Sequence, residues 1–326
     1  MCAWRCWRWC WARRSYLFTT ENTEFTEKKN NAEKKLFCFL SQKKNLCGLC
    51  ALCGAKNMNT FIEILEKRAR DTDSLLCIGL DPHLADLDSP TAESALDFCL
   101  RIVQETADYA LAFKPNAAFF ELFGAEGWIA LRKLIATVKG LGIPLILDAK
   151  RGDIASTAAA YATSAFEHLG ADAITLNPYL GRDSVAPFIA NPAKGAFLLC
   201  KTSNPGSDDL QNVSVVGVQH AEPLPLYIHV AKLAQSWNTN NNIGLVVGAT
   251  QPAALAQVRA AVSEMWFLAP GVGAQGGDLA TALNAGLRPD GLGMLVSVSR
   301  GIARAESPRV AAAELRDAIR AAKSAS

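Results

Sequence analysis

The sequence has little of what would place a protein in a membrane or on nucleic acid. No apolar run approaches the roughly 18 residues that a membrane-spanning helix needs. The net charge is only +2 over 326 residues. Of the 33 basic and 31 acidic residues, 11 and 4 lie before Met58, which leaves 22 basic and 27 acidic residues from Met58 onward. A mildly acidic body does not attract nucleic acid or a membrane surface as a whole, so we expect local groups to hold any anionic ligand.

Cysteine and histidine are also scarce from Met58 onward. The four histidines show no spacing typical of metal ligands. Only three of the ten cysteines lie in this part, each in an apolar stretch: Cys77, Cys99 and Cys200. We expect buried, reduced thiols in a cytoplasmic protein, which excludes a disulfide framework.

Residues 1–57 differ in composition from the rest of the chain. They cluster Trp, Arg and Cys without a helical or strand period, and they include a polar run of the disordered kind. Cys47, Cys50 and Cys53 have a CxxCxxC spacing compatible with zinc or an iron–sulfur cluster, with Cys38 as a fourth ligand. The alternative is translated upstream sequence, because a good helical pattern begins at Met58. We expect an extension of no clear fold, either disordered or non-native.

From Met58 onward, short apolar runs alternate with helical patterns. Helical periods cover, for example, residues 59–70, 93–108, 127–140, 251–264 and 308–322. Eight runs predict strands, at residues 75–81, 110–116, 144–150, 173–179, 196–203, 243–250, 266–273 and 291–299. Continuous apolar strands separated by helices indicate a parallel sheet that is buried on both faces.

Eight such units in about 250 residues predict an α/β fold, a single (β/α)8 TIM barrel domain over residues 58–326. An open doubly wound sheet fits less well, because no GxGxxG turn follows the first strand. One connection, residues 204–224, is long and lacks clear periodicity. Because long loops in compact domains usually serve function, we expect it to be a lid over the barrel.

Polar residues recur where the predicted strands end, which is where active sites of such barrels lie. Asp81, Lys201 and Arg300 each end a strand. The third strand ends in Asp148 and Lys150, which are two residues apart and should share a face, with Asp153 on the following turn and Lys114 on the neighbouring strand. Burying such an array costs several kcal/mol per ion, so we interpret these four charges as a preorganised electrostatic device.

The last two strands predict a phosphate site. Four glycines at the end of the seventh strand and just beyond it free the backbone to approach an anion closely: Gly271, Gly273, Gly276 and Gly277. Arg300, after the eighth strand, offers a fork of donors that matches phosphate oxygens. Because these two loops are the frequent phosphate site of the fold, we expect a phosphorylated ligand.

Six segments together narrow the prediction to one family. They are GLDP (79–82), FKPN (113–116), LILDAKRGDI (145–154), KTSNPG (201–206), APGVGAQGGD (269–278) and SRGI (299–302). In order and spacing they resemble the bacterial-type branch of the orotidine 5′-phosphate decarboxylases, within the DxKxxD barrel superfamily. The resemblance covers nearly all of residues 58–326.

That resemblance implies a cofactor-free and metal-free carboxy-lyase of de novo pyrimidine biosynthesis, which converts orotidine 5′-monophosphate to UMP and CO2. It implies Lys150 as the proton donor to C6, next to Asp148, with Lys114 and Asp153 completing the catalytic array. It also implies a homodimer in which Asp153 and Thr157 reach the partner subunit's site. The implied substrate-binding residues are Asp81 and Lys114 at the ribose, Ser203 at the pyrimidine, Gln275 and Arg300 at the phosphate, with Thr157 and Pro270.

Two other hypotheses stay open on the sequence. One is a Mg²⁺-dependent sugar-phosphate decarboxylase or aldolase of the DxKxxD superfamily, which KTSNPG and Lys114 disfavour because they suit a pyrimidine nucleotide. The other is a nucleotide-binding protein without catalysis, against which the intact array of charges argues.

Overall fold

The computed structural model describes residues 59–217, 220–272 and 278–324. The N-terminal extension and part of the glycine-rich segment lie outside these residues. With them lie several residues of interest in the sequence: Cys38, Cys47, Cys50, Cys53, Gly273, Gln275, Gly276 and Gly277.

The described residues form ten strands. Eight of them form one parallel sheet that curls into a barrel, and β6 and β7 form a separate pair. The strands are β1 (Leu76–Leu80), β2 (Ala112–Pro115), β3 (Ile146–Arg151), β4 (Ala173–Leu176), β5 (Gly195–Lys201), β6 (Ser214–Gly217), β7 (His220–Pro225), β8 (Ile243–Val247), β9 (Trp266–Pro270) and β10 (Met294–Val298). The sheet order is β2–β1–β10–β9–β8–β5–β4–β3. Two isolated parallel bridges, Phe113 with Leu145 and Asn116 with Asp148, join β2 to β3 and close the ring. All eight predicted strands and the barrel are therefore confirmed.

Helices precede, connect and follow the barrel strands. They are α1 (Phe61–Thr72), α2 (Ala92–Thr106), α3 (Ala117–Glu121), α4 (Gly124–Gly140), α5 (Ala155–Thr163), α6 (Arg182–Ile189), α7 (Asp208–Gln211), α8 (Leu226–Trp237), α9 (Pro252–Ala261), α10 (Leu279–Gly286), α11 (Arg300–Ala303) and α12 (Pro308–Ser324). Within the described ranges, no helix has the length and apolarity that a membrane crossing requires.

Helix α1 covers the amino ends of the barrel strands. Thr60 and Glu63 form a capping box that starts it, because each side chain accepts a hydrogen bond from the other's backbone N–H. The Phe61 ring packs edge-on against Phe197 of β5, with centroids 6.1 Å apart. Further along, Glu66 accepts a hydrogen bond from the indole of Trp266, the first residue of β9. The carboxyl ends of the strands are thus left for the functional site.

The segment 204–224 is more ordered than an aperiodic loop. It contains a 3₁₀ turn at Pro205–Ser207, helix α7 and most of the antiparallel hairpin of β6 and β7. The sequence did not predict this hairpin, because Pro223 and Pro225 argue against a strand. Both strands of a two-stranded sheet are edge strands, and edge strands tolerate proline. Its service as a lid stays a prediction.

Substitution of Gly195 by alanine should loosen the cover formed by α1. An added Cβ would lie 2.3 Å from the Phe61 ring, so this ring must move out of its buried position. We expect Gly195→Ala to lower the free energy of unfolding by about 2 kcal/mol in urea denaturation. Gly140→Ala is the matched control, since a Cβ there meets no atom within 4 Å. Equal stability of the two variants would contradict this packing.

Candidate active site

Three of the four predicted array residues meet at the carboxyl ends of β2 and β3. Lys114 Nζ lies 2.9 Å from Asp148 Oδ2, and Lys150 Nζ lies 2.6 Å from Asp148 Oδ1. The side chains of Lys114 and Asp148 are only 9% and 11% exposed, whereas that of Lys150 is 49% exposed. One buried carboxylate therefore lies between a buried ammonium group and one that reaches the solvent.

The two buried charges stabilise each other. Burial alone would raise the pKa of Asp148, but the nearby Lys114 and Lys150 ammonium groups outweigh burial and hold this pKa well below its usual range. Burial alone would lower the pKa of Lys114, but the carboxylates of Asp148 and Asp81 raise it above its usual range. Both groups are therefore charged at neutral pH.

Asp148 and Lys150 come together through a bulge in β3. Leu147 pairs with Ile174 and Arg151 pairs with Leu176, so three residues of β3 lie opposite the single residue Thr175 of β4. Lys150 has a φ of 46°, in the left-handed region that side chains other than glycine rarely adopt. Such a conformation costs about 1 kcal/mol. The side chains meet as predicted, but plain strand alternation is not the cause.

Thr175 is the residue of the site that the sequence reasoning missed. Its hydroxyl accepts hydrogen bonds from the backbone N–H groups of Ala149 and Lys150, at 3.1 and 3.0 Å, and donates one to Asp148 Oδ1 at 2.9 Å. The residue is 1% exposed. The available signal was one hydroxyl in the otherwise apolar strand AITL, since a buried hydroxyl needs partners.

Asp153 does not join the array within one chain. Its Oδ1 accepts a hydrogen bond from the N–H of Ile154 at 2.8 Å, and no ion pair of the described residues includes it. Thr157 lies exposed in α5. A single chain therefore brings together Lys114, Asp148 and Lys150 but leaves Asp153 and Thr157 apart.

Two adjoining cavities open at this end of the barrel, and they share Lys114 and Pro270. The first, of about 430 Å³, is lined by the three array residues, by Thr175 and Ser203, and by the apolar Leu199, Val246 and Leu268. The second, of about 390 Å³, is lined by Asp81, Ser297 and Arg300, among others. A larger recess beside α2 contains none of the predicted site residues.

In the described part of the chain, no group of three or more His, Cys, Asp or Glu side chains is placed to hold a metal ion.

The second cavity has the donors and acceptors that a sugar phosphate requires. Asp81 Oδ1 is buried and has no hydrogen-bond partner among the described residues. Arg300, at the start of α11, is exposed, and none of the ion pairs of the described residues involves it. Gly79 lets β1 and β10 approach here, because a Cβ at this position would lie 2.5 Å from Ser299 Cβ. An acceptor and a cation thus lie just beyond the carboxyl ends of two neighbouring strands.

Lys201 does not contribute its charge to either cavity, contrary to what its place at a strand end suggests. Its side chain is 1% exposed and donates to Asp208 at 2.5 Å and to Asn212 at 3.0 Å. In the same segment, Gln211 binds both the backbone N–H and the hydroxyl of Thr202. Lys201 and Gln211 therefore hold the chain that follows β5, next to Ser203.

The comparisons with known proteins agree with one another. A model of the orotidine 5′-phosphate decarboxylase / HUMPS family matches residues 74–315. The orotidine 5′-phosphate decarboxylase of Roseiflexus castenholzii is 50% identical over 273 residues, covering 80% of this chain and 98% of that protein. The solved OMP decarboxylase of Leishmania donovani has a TM-score of 0.74 and 54% identity, covering 82% of this chain and 100% of that one. The UMP synthase of the same organism has a TM-score of 0.75 and 55% identity, with 82% of this chain and 57% of that chain covered.

Removal of the Asp148 charge should destabilise the barrel in a pH-dependent way. Asp148→Asn leaves Lys114 buried with a weaker partner, so we expect a loss of about 3 kcal/mol at pH 7. Because the pKa of Asp148 is lowered by folding, its contribution is complete above the ordinary value of 3.8 and declines only as the pH falls below it.

Urea denaturation over a pH series measures this difference. The control is Asp108→Asn, since the Asp108 ion pair with Arg309 is exposed and should change stability by less than about 1 kcal/mol. A difference for Asp148→Asn that grows as the solution becomes acidic would contradict the assignment.

Proposed function

The chain belongs to the orotidine 5′-phosphate decarboxylase family, and we propose that it converts orotidine 5′-monophosphate to UMP and CO2 with Lys150 as the proton donor. It is a carboxy-lyase of pyrimidine biosynthesis. The observation that carries the proposed mechanism is the Asp148 carboxylate between two ammonium groups in an open cavity. The comparisons do not favour the Mg²⁺-dependent alternative.

Asp148 acts on the carboxylate of the substrate. Loss of CO2 leaves a carbanion at C6 that no adjacent π-system absorbs. Two carboxylates about 4 Å apart repel each other by about 4 kcal/mol at an effective dielectric constant near 20. This repulsion disappears as neutral CO2 departs. The apolar side chains of Leu199, Val246 and Leu268 in the same cavity suit an uncharged leaving molecule.

The two lysines have different parts in this mechanism. Lys114 is buried, and its raised pKa keeps its proton on Nζ, so it supplies a permanent positive charge beside Asp148. Lys150 is half exposed and lies next to the same carboxylate, so its ammonium group stabilises the developing carbanion and delivers a proton to C6. Its exposure lets it regain a proton from solvent. The charges come from the protein, so the mechanism requires no metal or organic cofactor.

The remaining substrate contacts divide between the two cavities. Ser203 lies beside the array, where it would hydrogen-bond the pyrimidine edge. Asp81 has a buried oxygen without a partner among the described residues, which suits a ribose hydroxyl. Arg300 would bind the 5′-phosphate, helped by Gln275, which lies outside the described residues. Pro270 lies where the cavities join. Binding energy from the distant phosphate supports alignment at C6.

A homodimer would complete the array with the partner's copy of Asp153 and Thr157. The support is twofold. Asp153 has no ion-pair partner within the described residues of its own chain, and exposed apolar side chains lie on the segments that follow β3 and β4. The turns after β3 and β4 are linked, since the Arg151 carbonyl accepts from the N–H of Asn177 at 2.8 Å. The exposed apolar residues on these elements are Ile154, Tyr161, Tyr179 and Leu180.

The proposal places the decarboxylase domain in residues 58–326 and the protein in the cytoplasm. The matched family region begins at residue 74, after the N-terminal extension. The described cysteines are free and buried, as suits a reducing compartment: Cys77, Cys99 and Cys200.

Replacement of Lys150 should abolish turnover and spare the fold. In Lys150→Ala we expect the rate of decarboxylation to fall by about 10³-fold or more, because the transition state loses its nearest cation. The assay is the loss of absorbance by orotidine 5′-monophosphate, and circular dichroism checks the fold. Lys133→Ala, at an exposed position of α4, is the control. EDTA should leave the wild-type rate unchanged. Normal turnover in Lys150→Ala, or inhibition by EDTA, would overturn the mechanism.

Mixing of two inactive variants tests the shared site. Lys150→Ala and Asp153→Ala each lack one part of every site, but a mixed dimer has one site with both residues intact. If subunits exchange at random, about a quarter of the wild-type activity should return. The control is each variant incubated alone. Absence of any recovery, with subunit exchange verified by native mass spectrometry, would show that the sites are not shared.

A further inference from the structure

We propose that Thr175 is a positioning residue for the decarboxylation, and that its hydroxyl holds Asp148 and Lys150 in their reactive arrangement. The inference rests on the proposed function for its effect on turnover. Its structural part, the hydrogen bonds of one hydroxyl inside the bulge of β3, stands independently of that function.

The bulge creates a need that Thr175 satisfies. Three residues of β3 lie opposite one residue of β4, so the regular ladder cannot provide a carbonyl for each backbone N–H. The N–H groups of Ala149 and Lys150 point instead at the Thr175 hydroxyl. Backbone N–H groups that are partly shielded from water still require an acceptor, and here a side chain of β4 replaces its backbone. The left-handed conformation of Lys150 is thereby held from the neighbouring strand.

The hydroxyl can have only one orientation. A threonine hydroxyl has one proton and two lone pairs. Two backbone N–H groups occupy the acceptor side, so the proton is directed to Asp148 Oδ1 at 2.9 Å. One atom therefore links the backbone that carries Lys150 to the carboxylate that Lys150 contacts.

This linkage should affect chemistry more than binding. Thr175 lines the cavity that contains the array, whereas the cavity with Asp81 and Arg300 does not include it. Without the hydroxyl, the Asp148 carboxylate loses the one uncharged donor that it has among the described residues, and the bulge loses the acceptor for two N–H groups. Lys150 Nζ is then held only through its ion pair with Asp148, so its position relative to C6 is less precise, while the ribose and phosphate contacts persist.

Thr175→Val tests this, because valine has the same shape but no hydroxyl. We expect kcat to fall by about 10²-fold, as misplacement of a reacting group by an ångström does. The KM for orotidine 5′-monophosphate and the Kd for UMP should change by less than about 3-fold, since the ribose and phosphate contacts lie in the other cavity. Thr175→Ser keeps the hydroxyl and should recover kcat to within about 5-fold of the wild type.

Thr106→Val is the matched control. Thr106 is fully buried in α2, and its hydroxyl donates only to the Ile102 carbonyl one turn earlier. The same chemical change away from the site should leave kcat unaltered. If Thr175→Val does not fold, Thr175→Cys replaces it, because a thiol is a weak donor and acceptor and should give the same separation of kcat from KM.

Hydrogen exchange of the Ala149 and Lys150 amides gives a readout that needs no activity. Exchange should be faster in Thr175→Val than in the wild type, Thr175→Ser and Thr106→Val. Unchanged exchange, wild-type kcat in Thr175→Val, or a parallel loss of UMP binding would overturn the proposal. A wild-type protein that fails to decarboxylate orotidine 5′-monophosphate would overturn the proposed function instead, and the amide exchange would still decide whether Thr175 holds the bulge.

Discussion

The buried ion pair of Lys114 and Asp148 lies where the barrel wall has its sparsest backbone pairing. Seven pairs of neighbouring strands are joined by ladders, two of them with a local irregularity, whereas β2 and β3 are joined by two isolated bridges. The ion pair spans the same seam. Taking both charges out of water costs several kcal/mol per ion, and only close pairing with further hydrogen bonds offsets this. One interaction therefore contributes both to closure of the barrel and to placement of the reactive carboxylate.

The fold could be predicted because parallel barrel strands are buried on both faces. Their sequences are short continuous apolar runs, such as 243–250, and eight such runs with helices between them leave few other architectures. Lys114, Asp148 and Lys150 could be placed together because consecutive strands of a barrel are neighbours. Gln275 and the cysteines before Met58 lie outside the described residues, so the structure does not bear on them.

The features that could not be predicted from the sequence depend on tertiary contacts. The bulge at Lys150 exists because a hydroxyl of β4 accepts hydrogen bonds from β3, and neither strand alone encodes this. Lys201 has the same position at a strand end as the array residues, but the segment after β5 folds over it and pairs it with Asp208. The hairpin of β6 and β7 was not predicted, because it contains prolines that only edge strands of a sheet tolerate. In each case the deciding partner is distant in sequence or belongs to an irregular segment.

Helix α1 has a consequence for the passage of molecules through the barrel. Its buried residues, which begin at Phe61, cover the amino ends of strands such as β5 and β9, while both cavities open at the carboxyl ends. In the described part of the chain, the nucleotide and the CO2 released from it therefore use the same opening, at the carboxyl ends of the strands. Lys150 is itself half exposed beside the array, so CO2 formed at C6 leaves by the same end of the barrel through which the nucleotide enters.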